Sequence, residues 1–201
     1  MKLKVTENTE NKIRFTVSGV DTSLMNALRR TVISEIPVMA VDSVTYYENS
    51  SILNDEVLAL RLGLMPLTSD LKTYNTVEEC TCKGKGCAKC TVTLTLEAKG
   101  PGIVYSGQIK SSDEEIIPVH DKTPLAKLTE EQEIKLEATA ELGTGKKHMK
   151  FQGGLASYEM KEDGSFDFFI ETFNQHDLND IVDIAFKSFS DKIDDLKEAL
   201  K

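Results

Sequence analysis

Four cysteines fall in one short stretch, Cys80-Thr81-Cys82-Lys83-Gly84-Lys85-Gly86-Cys87-Ala88-Lys89-Cys90, and the chain has no others. Cys80 and Cys82 make one close pair, and Cys87 and Cys90 make a second at the C-x-x-C spacing. Gly84 and Gly86 permit the tight turn that brings the pairs together. Four thiolates can surround Zn²⁺ tetrahedrally as a structural centre, and the lysines at 72, 83, 85 and 89 offset its negative charge. An iron–sulfur cluster uses the same ligand set, and a reduced, metal-free loop is the plain alternative. A redox role for Cys87 and Cys90 asks for a helix start within a βαβ unit, and none is evident around them. Cysteines confined to one place do not form the framework that spreads through a secreted disulfide domain.

Other groups that can carry chemistry are fewer. Residues 143–151, Gly-Thr-Gly-Lys-Lys-His-Met-Lys-Phe, form a basic cluster in an acidic chain. Their Gly-x-Gly-Lys string lacks the second glycine, the spacing and the Lys-Ser/Thr ending of a phosphate-cradling loop, so a solvated or partner-facing loop is expected. His120, His148 and His176 stand apart from any cysteine or carboxylate cluster, which leaves no metal-ligand or base constellation among them. No acidic cluster suited to catalytic Mg²⁺ is seen.

Composition bounds the rest. A formal charge of −9 opposes a polyanionic backbone, so no direct DNA contact is expected. Without Trp, and with 6% aromatic residues, a stacking platform for single strands is not expected. There is no apolar run of membrane-spanning length, and with charges at Lys2, Lys4, Glu7, Glu10, Lys12 and Arg14 neither a membrane span nor a signal peptide is expected. The expected location is cytoplasmic, with no membrane partner. The 201 residues suit one large or two small domains.

The elements that must position these groups follow from periodicity. Leu3 and Val5, then Ile13, Phe15 and Val17, alternate on either side of a polar turn and predict a hairpin with one buried face. Asp21, Thr22 and Ser23 are candidate N-caps for a helix running to Ile36, where Pro37 closes it. Leu24, Leu28 and Val32 recur along it, and Arg29 and Arg30 point roughly 100° apart, so at most one lies on the apolar face. A strand follows over 38–47, and Asn49-Ser50-Ser51 marks a boundary. Residues 54–64 predict a densely apolar, buried helix, in which Arg61 needs a carboxylate or carbonyl partner. The region beyond is mostly β, with Val92, Leu94 and Leu96 and then Ile134, Leu136, Ala138 and Ala140 in alternation. Ile103, Tyr105, Ile116, Ile117 and Val119 suggest further strands. Residues 155–160 and 166–173 flank a Lys-Glu-Asp-Gly turn as a hairpin. A helix over 177–200 then carries a stripe from Leu178 through Ile181, Val182, Ala185, Phe189, Ile193 and Leu196, which Ile184 and Phe186 widen enough to serve both a core and another chain. The class is α+β.

Several of these stretches resemble, in order, the motifs of the RNA polymerase assembly subunits. They are Asn26-Ala27-Leu28-Arg29-Arg30 with Glu35-Ile36-Pro37, then Arg61-Leu62-Gly63-Leu64-Met65-Pro66-Leu67, then the Cys loop, then Gly145-Lys146-Lys147-His148-Met149-Lys150-Phe151-Gln152. That family comprises the bacterial alpha subunit, its archaeal counterpart and the eukaryotic third-largest subunit, and the archaeal members are the most similar in pattern.

The resemblance implies a discontinuous dimerisation domain, an antiparallel sheet with two helices at 1–48 and 161–201. A mostly β insert domain at 49–160 interrupts it. It further implies a non-catalytic platform that pairs with a smaller subunit L and gathers subunits N and P and the large catalytic subunits, nucleotidyl transfer belonging to the complex. The pairing surface would be Leu24, Leu28, Arg29, Arg30 and Val32 on the first helix, with Ile181, Val182, Ala185, Phe186, Phe189 and Ile193 on the last. Arg61, Lys146, Lys147, His148 and Lys150 would meet large subunits, and Cys80, Cys82, Cys87 and Cys90 would hold zinc.

The sequence departs from the family in three places. Gly153-Gly154 stands where the last motif usually continues into a proline. A four-residue turn replaces the ferredoxin-like insertion of many archaeal relatives, so no iron–sulfur domain is expected. The Cys loop has one more residue between its second and third cysteines than the eukaryotic loop. The readings outside this family are a thiol-dependent redox protein and a stand-alone homodimeric binding module.

Overall fold

A computed structural model describes residues 1–200. The chain divides by packing into two compact units, one formed by Met1–Pro37 together with the described residues from Thr144 onward, the other by Val38–Gly143. Both are antiparallel sheets with helical cover.

In the unit built from the chain ends, β1 (Lys2–Asn8), β2 (Lys12–Ser18), β10 (Phe166–Thr172) and β9 (Gly154–Met160) form a sheet in the order β1-β2-β10-β9. Register places Phe15 opposite Phe168 and Phe168 opposite Tyr158, so three rings share one face. The Phe15 and Phe168 rings stack at 5.3 Å. Helix α1 (Thr22–Ser34) buries Met25, Leu28, Thr31 and Val32, a three-to-four-residue repeat. Asp21 occupies the N-cap with extended backbone and makes no side-chain cap bond, so the predicted cap residue holds the position without the hydrogen bond. Helix α3 (Leu178–Ala199) buries Leu178, Ile181 and Ala185 only.

Beyond that third position Phe189 is half-buried, and Phe186, Ile193, Leu196 and Leu200 are exposed. The predicted hairpin also forms, but its inner face is not buried throughout. Leu3 and Val5 lie opposite Val17 and Phe15 on the core face, yet remain 54% and 47% exposed.

In the middle unit, β3 (Val38–Asn49), β8 (Glu133–Gly143), β4 (Thr91–Lys99) and β6 (Lys110–Ser111) form a sheet in the order β3-β8-β4-β6. β5 (Gly102–Tyr105) pairs with β7 (Pro124–Leu128) as a separate ribbon. Val92, Leu94 and Leu96 face Ala140, Ala138 and Leu136 across the ladder, so the alternation seen in the sequence becomes one buried face. Leu58 and Leu62 of α2 (Asp55–Gly63) close onto that core.

Some expectations change. α2 is not buried all round, since Val57, Leu60 and Leu64 point outward on its far side. Ile116, Ile117 and Val119 form no strand and are joined to the loop at 67–68 by one bridge and by hydrogen bonds with Thr68. The packing limits also differ from the expected domain limits. Residues 38–48 belong with the middle unit because they pair along β8, and residues 154–160 with the other because they pair with β10. Among the described residues, no helix is long and apolar enough to cross a membrane.

Candidate metal centre and apolar groove

The Cys loop hangs between a pinned segment and a strand. Before it, the buried Tyr74 hydroxyl donates to the Asp113 carboxylate, and the Asn75 N–H meets the Lys89 carbonyl at 2.9 Å to close the base of the loop. After it, Cys90 runs directly into β4, where the Thr91 N–H and hydroxyl both donate to the Cys87 carbonyl, at 2.9 and 3.1 Å. Within the loop, Lys83 and Gly84 take positive φ in succession, and Gly86 takes a third. The glycines at two of these positions provide the turn expected of them.

All four Sγ atoms lie within 4.8 Å of one another. Cys80 to Cys87 is 3.6 Å, Cys82 to Cys90 is 3.7 Å and Cys87 to Cys90 is 3.8 Å. A disulfide needs about 2 Å, and the four thiols are free. Zinc–sulfur bonds of ~2.3 Å in a tetrahedron place the sulfurs ~3.8 Å apart, so the cage has the size of a four-thiolate centre. Burial opposes ionisation of Cys82, but donors from Cys80, Cys90 and the Gly86 backbone outweigh it and draw this thiol down to about 7. Burial, reinforced by the neighbouring sulfurs, pushes Cys90 up to about 12. A cation at the centre of the cage would remove that opposition by holding all four as thiolates. These four residues can therefore hold a metal ion, and the geometry suits a structural role.

The second site lies in the unit of the chain ends. Met1 and Leu3, with Phe15 and Val17 beneath them, form one wall and the floor of a groove lined without polar atoms. Leu24, Met25 and Leu28 of α1 and Phe186 and Phe189 of α3 form the other sides. Met1, Leu3, Phe15 and Met25 were not expected at such a surface. The signal for Leu3 and Phe15 is the apolar side of the first hairpin, and for Met25 the apolar face of α1, both of which the sequence pattern assigns to a core.

The expected pairing residues divide. Leu28, Val32, Ile181 and Ala185 are buried inside the unit, and of these Leu28 also lines the groove. Leu24, Phe186 and Ile193 are exposed, Val182 and Phe189 half-buried. Arg29 is half-buried and its guanidinium donates twice to Asn26 Oδ1, at 3.2 and 3.0 Å, while Arg30 faces solvent. The two arginines thus part company as their 100° separation requires.

Of the other expected contact residues, Arg61 is exposed in the middle unit and donates to the Pro124 carbonyl, the kind of partner predicted for it. Lys146, Lys147, His148 and Lys150 lie in the other unit around a short 3₁₀ turn. The Lys147 and Lys150 ammonium groups stand 5.6 and 4.9 Å from the centre of the Phe151 ring, and His148 Nδ1 accepts the Lys150 N–H at 3.1 Å.

Comparison with known proteins gives these sites a context. Residues 33–161 match the family described as RNA polymerase Rpb3/RpoA insert domain. Similar proteins include DNA-directed RNA polymerase subunit Rpo3 of Methanosarcina acetivorans, 41% identical over 157 residues, which are 78% of this chain and 59% of that protein. The same subunit of Pyrococcus furiosus is 43% identical over 159 residues, 79% of this chain and 59% of that one. In Pyrobaculum neutrophilum the figures are 44% over 158 residues, 78% and 60%. The chain spans about three fifths of the length of these curated relatives. The chain belongs to the RNA polymerase Rpb3/RpoA insert-domain family.

Proposed function

We propose that this chain is a non-catalytic assembly-platform subunit of a cytoplasmic DNA-directed RNA polymerase. In this reading the unit formed by the chain ends is a dimerisation domain that pairs with a smaller subunit L, and the middle unit is the insert domain. The pair then recruits subunits N and P and the large subunits, where nucleotidyl transfer takes place. The observation that carries the reading is the open groove between β1, α1 and α3, continued by the exposed stripe of α3. A soluble chain gains by covering such a surface, at about 25 cal/mol per Å² of apolar area removed from water. The names of the relatives, which are polymerase subunits, support the same conclusion.

The Cys cage completes the proposal as a structural zinc centre held by Cys80, Cys82, Cys87 and Cys90. When bound, the ion supplies four bonds that fix the loop and no reactive chemistry. Large-subunit contacts are assigned to Arg61 and to Lys146, Lys147, His148 and Lys150.

Phe186→Asp tests the pairing surface, since Phe186 is 53% exposed and its replacement leaves the core intact. Co-expressed with subunit L, the variant is expected to lose the heterodimer while keeping a wild-type circular dichroism spectrum. A heterodimer of unchanged affinity would overturn the reading, and a stable symmetric dimer of the wild-type chain would replace it with a homodimeric module.

A further inference from the structure

Glu35 sits at the C-terminal end of α1 with its side chain 13% exposed. Its Oε1 accepts the Lys146 ammonium at 3.1 Å and also that of Lys192 on α3. Its Oε2 accepts the Ser188 hydroxyl, again from α3, at 3.1 Å. The loop carrying Lys146 reaches this helix end by its backbone as well. The Lys146 N–H donates to the Ser34 carbonyl at 3.1 Å, and Gly145 lies so close that a Cβ there would stand 2.5 Å from the Ile33 carbonyl oxygen.

Two cations therefore share one carboxylate oxygen. They repel each other, and the carboxylate between them is what makes their meeting favourable. Most surface ion pairs contribute little because water screens them and the side chains stay mobile. This one differs in the burial of its carboxylate, the two ammonium groups being exposed, and in joining three segments. Burial pushes the Glu35 carboxyl up, yet Lys192 and Lys146 outweigh it and hold it below its usual value.

We infer that Glu35 is a positioning residue that holds the basic loop and the outer part of α3 on one helix end, fixing two partner-facing surfaces relative to each other. The purpose rests on the proposed function, but the geometry does not.

Amide hydrogen exchange on the whole chain tests it without any partner, so failure of the assembly reading leaves the result intact. In Glu35→Gln, exchange over 144–148 and 188–199 is expected to rise together by about tenfold, with β10 unchanged. Adding Lys146→Met to that variant removes the repelling cation and is expected to return 188–199 part of the way to wild type, the Lys192 ion pair staying lost, a rescue that a packing role would not give. An unchanged rate in either segment, or a second substitution that worsens the first, overturns the inference. Should Glu35→Gln not fold, Lys192→Met decides alone. The Lys146 pair then loses its competitor, so exchange over 144–148 should fall, and a rise there overturns the inference.

Discussion

The two units solve the same problem to different degrees. Each is an antiparallel sheet with helical cover on an apolar face, but the middle unit closes its core and the terminal unit does not. In the middle unit the alternating residues of β4 and β8 meet Leu58 and Leu62 of α2, and the ladder leaves no large apolar side chain of those two strands exposed. In the terminal unit β1 lays Leu3 and Val5 on the core face only half covered, Leu3 lining the groove, and α3 runs on past its last buried residue, Ala185. The closed unit turns its distinctive chemistry inward, into a cage of thiols. The open one turns its own outward. Burial incomplete on the sheet side of an element is a better guide to assembly than exposed apolar residues as such, which are common on any surface.

The largest effect should come from the metal cage. For the proposed zinc centre, Cys90→Ser, or chelation of the zinc-loaded wild type, is expected to abolish metal binding and unfold the loop over 76–91, since a structural zinc contributes on the order of 10 kcal/mol to small sites. Metal analysis with exchange mapping reads both. Loosening of β1 and β2 to the same degree would break the contrast between the units.

Core truncations come next. Phe168→Ala removes a fully buried ring stacked on Phe15, and Leu94→Ala a fully buried side chain of the middle core. The expected costs are about 3–5 and about 2–5 kcal/mol, measured by urea unfolding. The comparison sharpens if a partner on the groove offsets the first loss and not the second.

The smallest effects are in pH, and they run in opposite directions. The folded-state pKa of Glu35 is below its ordinary 4.5, so its contribution is complete above that value and is lost as pH falls through the lowered one. For Tyr74, burial first and then Asp113 raise the phenol from 10 to about 12. Its contribution is present below 10 and is lost as pH rises through about 12. Glu35→Gln should flatten the acid limb of the stability curve and Tyr74→Phe the alkaline limb. Urea midpoints across pH check both, and loss of the wrong limb in either variant would break the assignment.

Much of this architecture is written in local patterns. Alternation marks β4 and β8, the Lys-Glu-Asp-Gly turn marks the β9–β10 hairpin, and the cysteine spacing marks the cage. What the sequence left open depends on distant partners. Whether Leu3 and Val5 are covered is decided by where α1 and α3 lie, and whether Val57 and Leu60 are buried by what α2 packs against. The packing units divide at limits other than the expected domain limits because β3 pairs with β8, about a hundred residues on, and no local signal reports that pairing. Ile116 to Val119 are apolar enough for a strand, but Pro118 and the hydrogen bonds with Thr68 keep them irregular.

That long-range pairing has a kinetic consequence. Val38 and Gly143 are register partners, so the chain leaves the terminal unit and returns to it at adjacent positions. Joining β2 to β10 from an extended chain would mean closing a loop of roughly 150 residues, a slow and entropically costly encounter. Once β3 and β8 have zipped together, most of that loop is already closed. The folding order of least entropy therefore starts in the middle of the chain, and the middle unit acts as the clasp that brings the two ends within reach of each other.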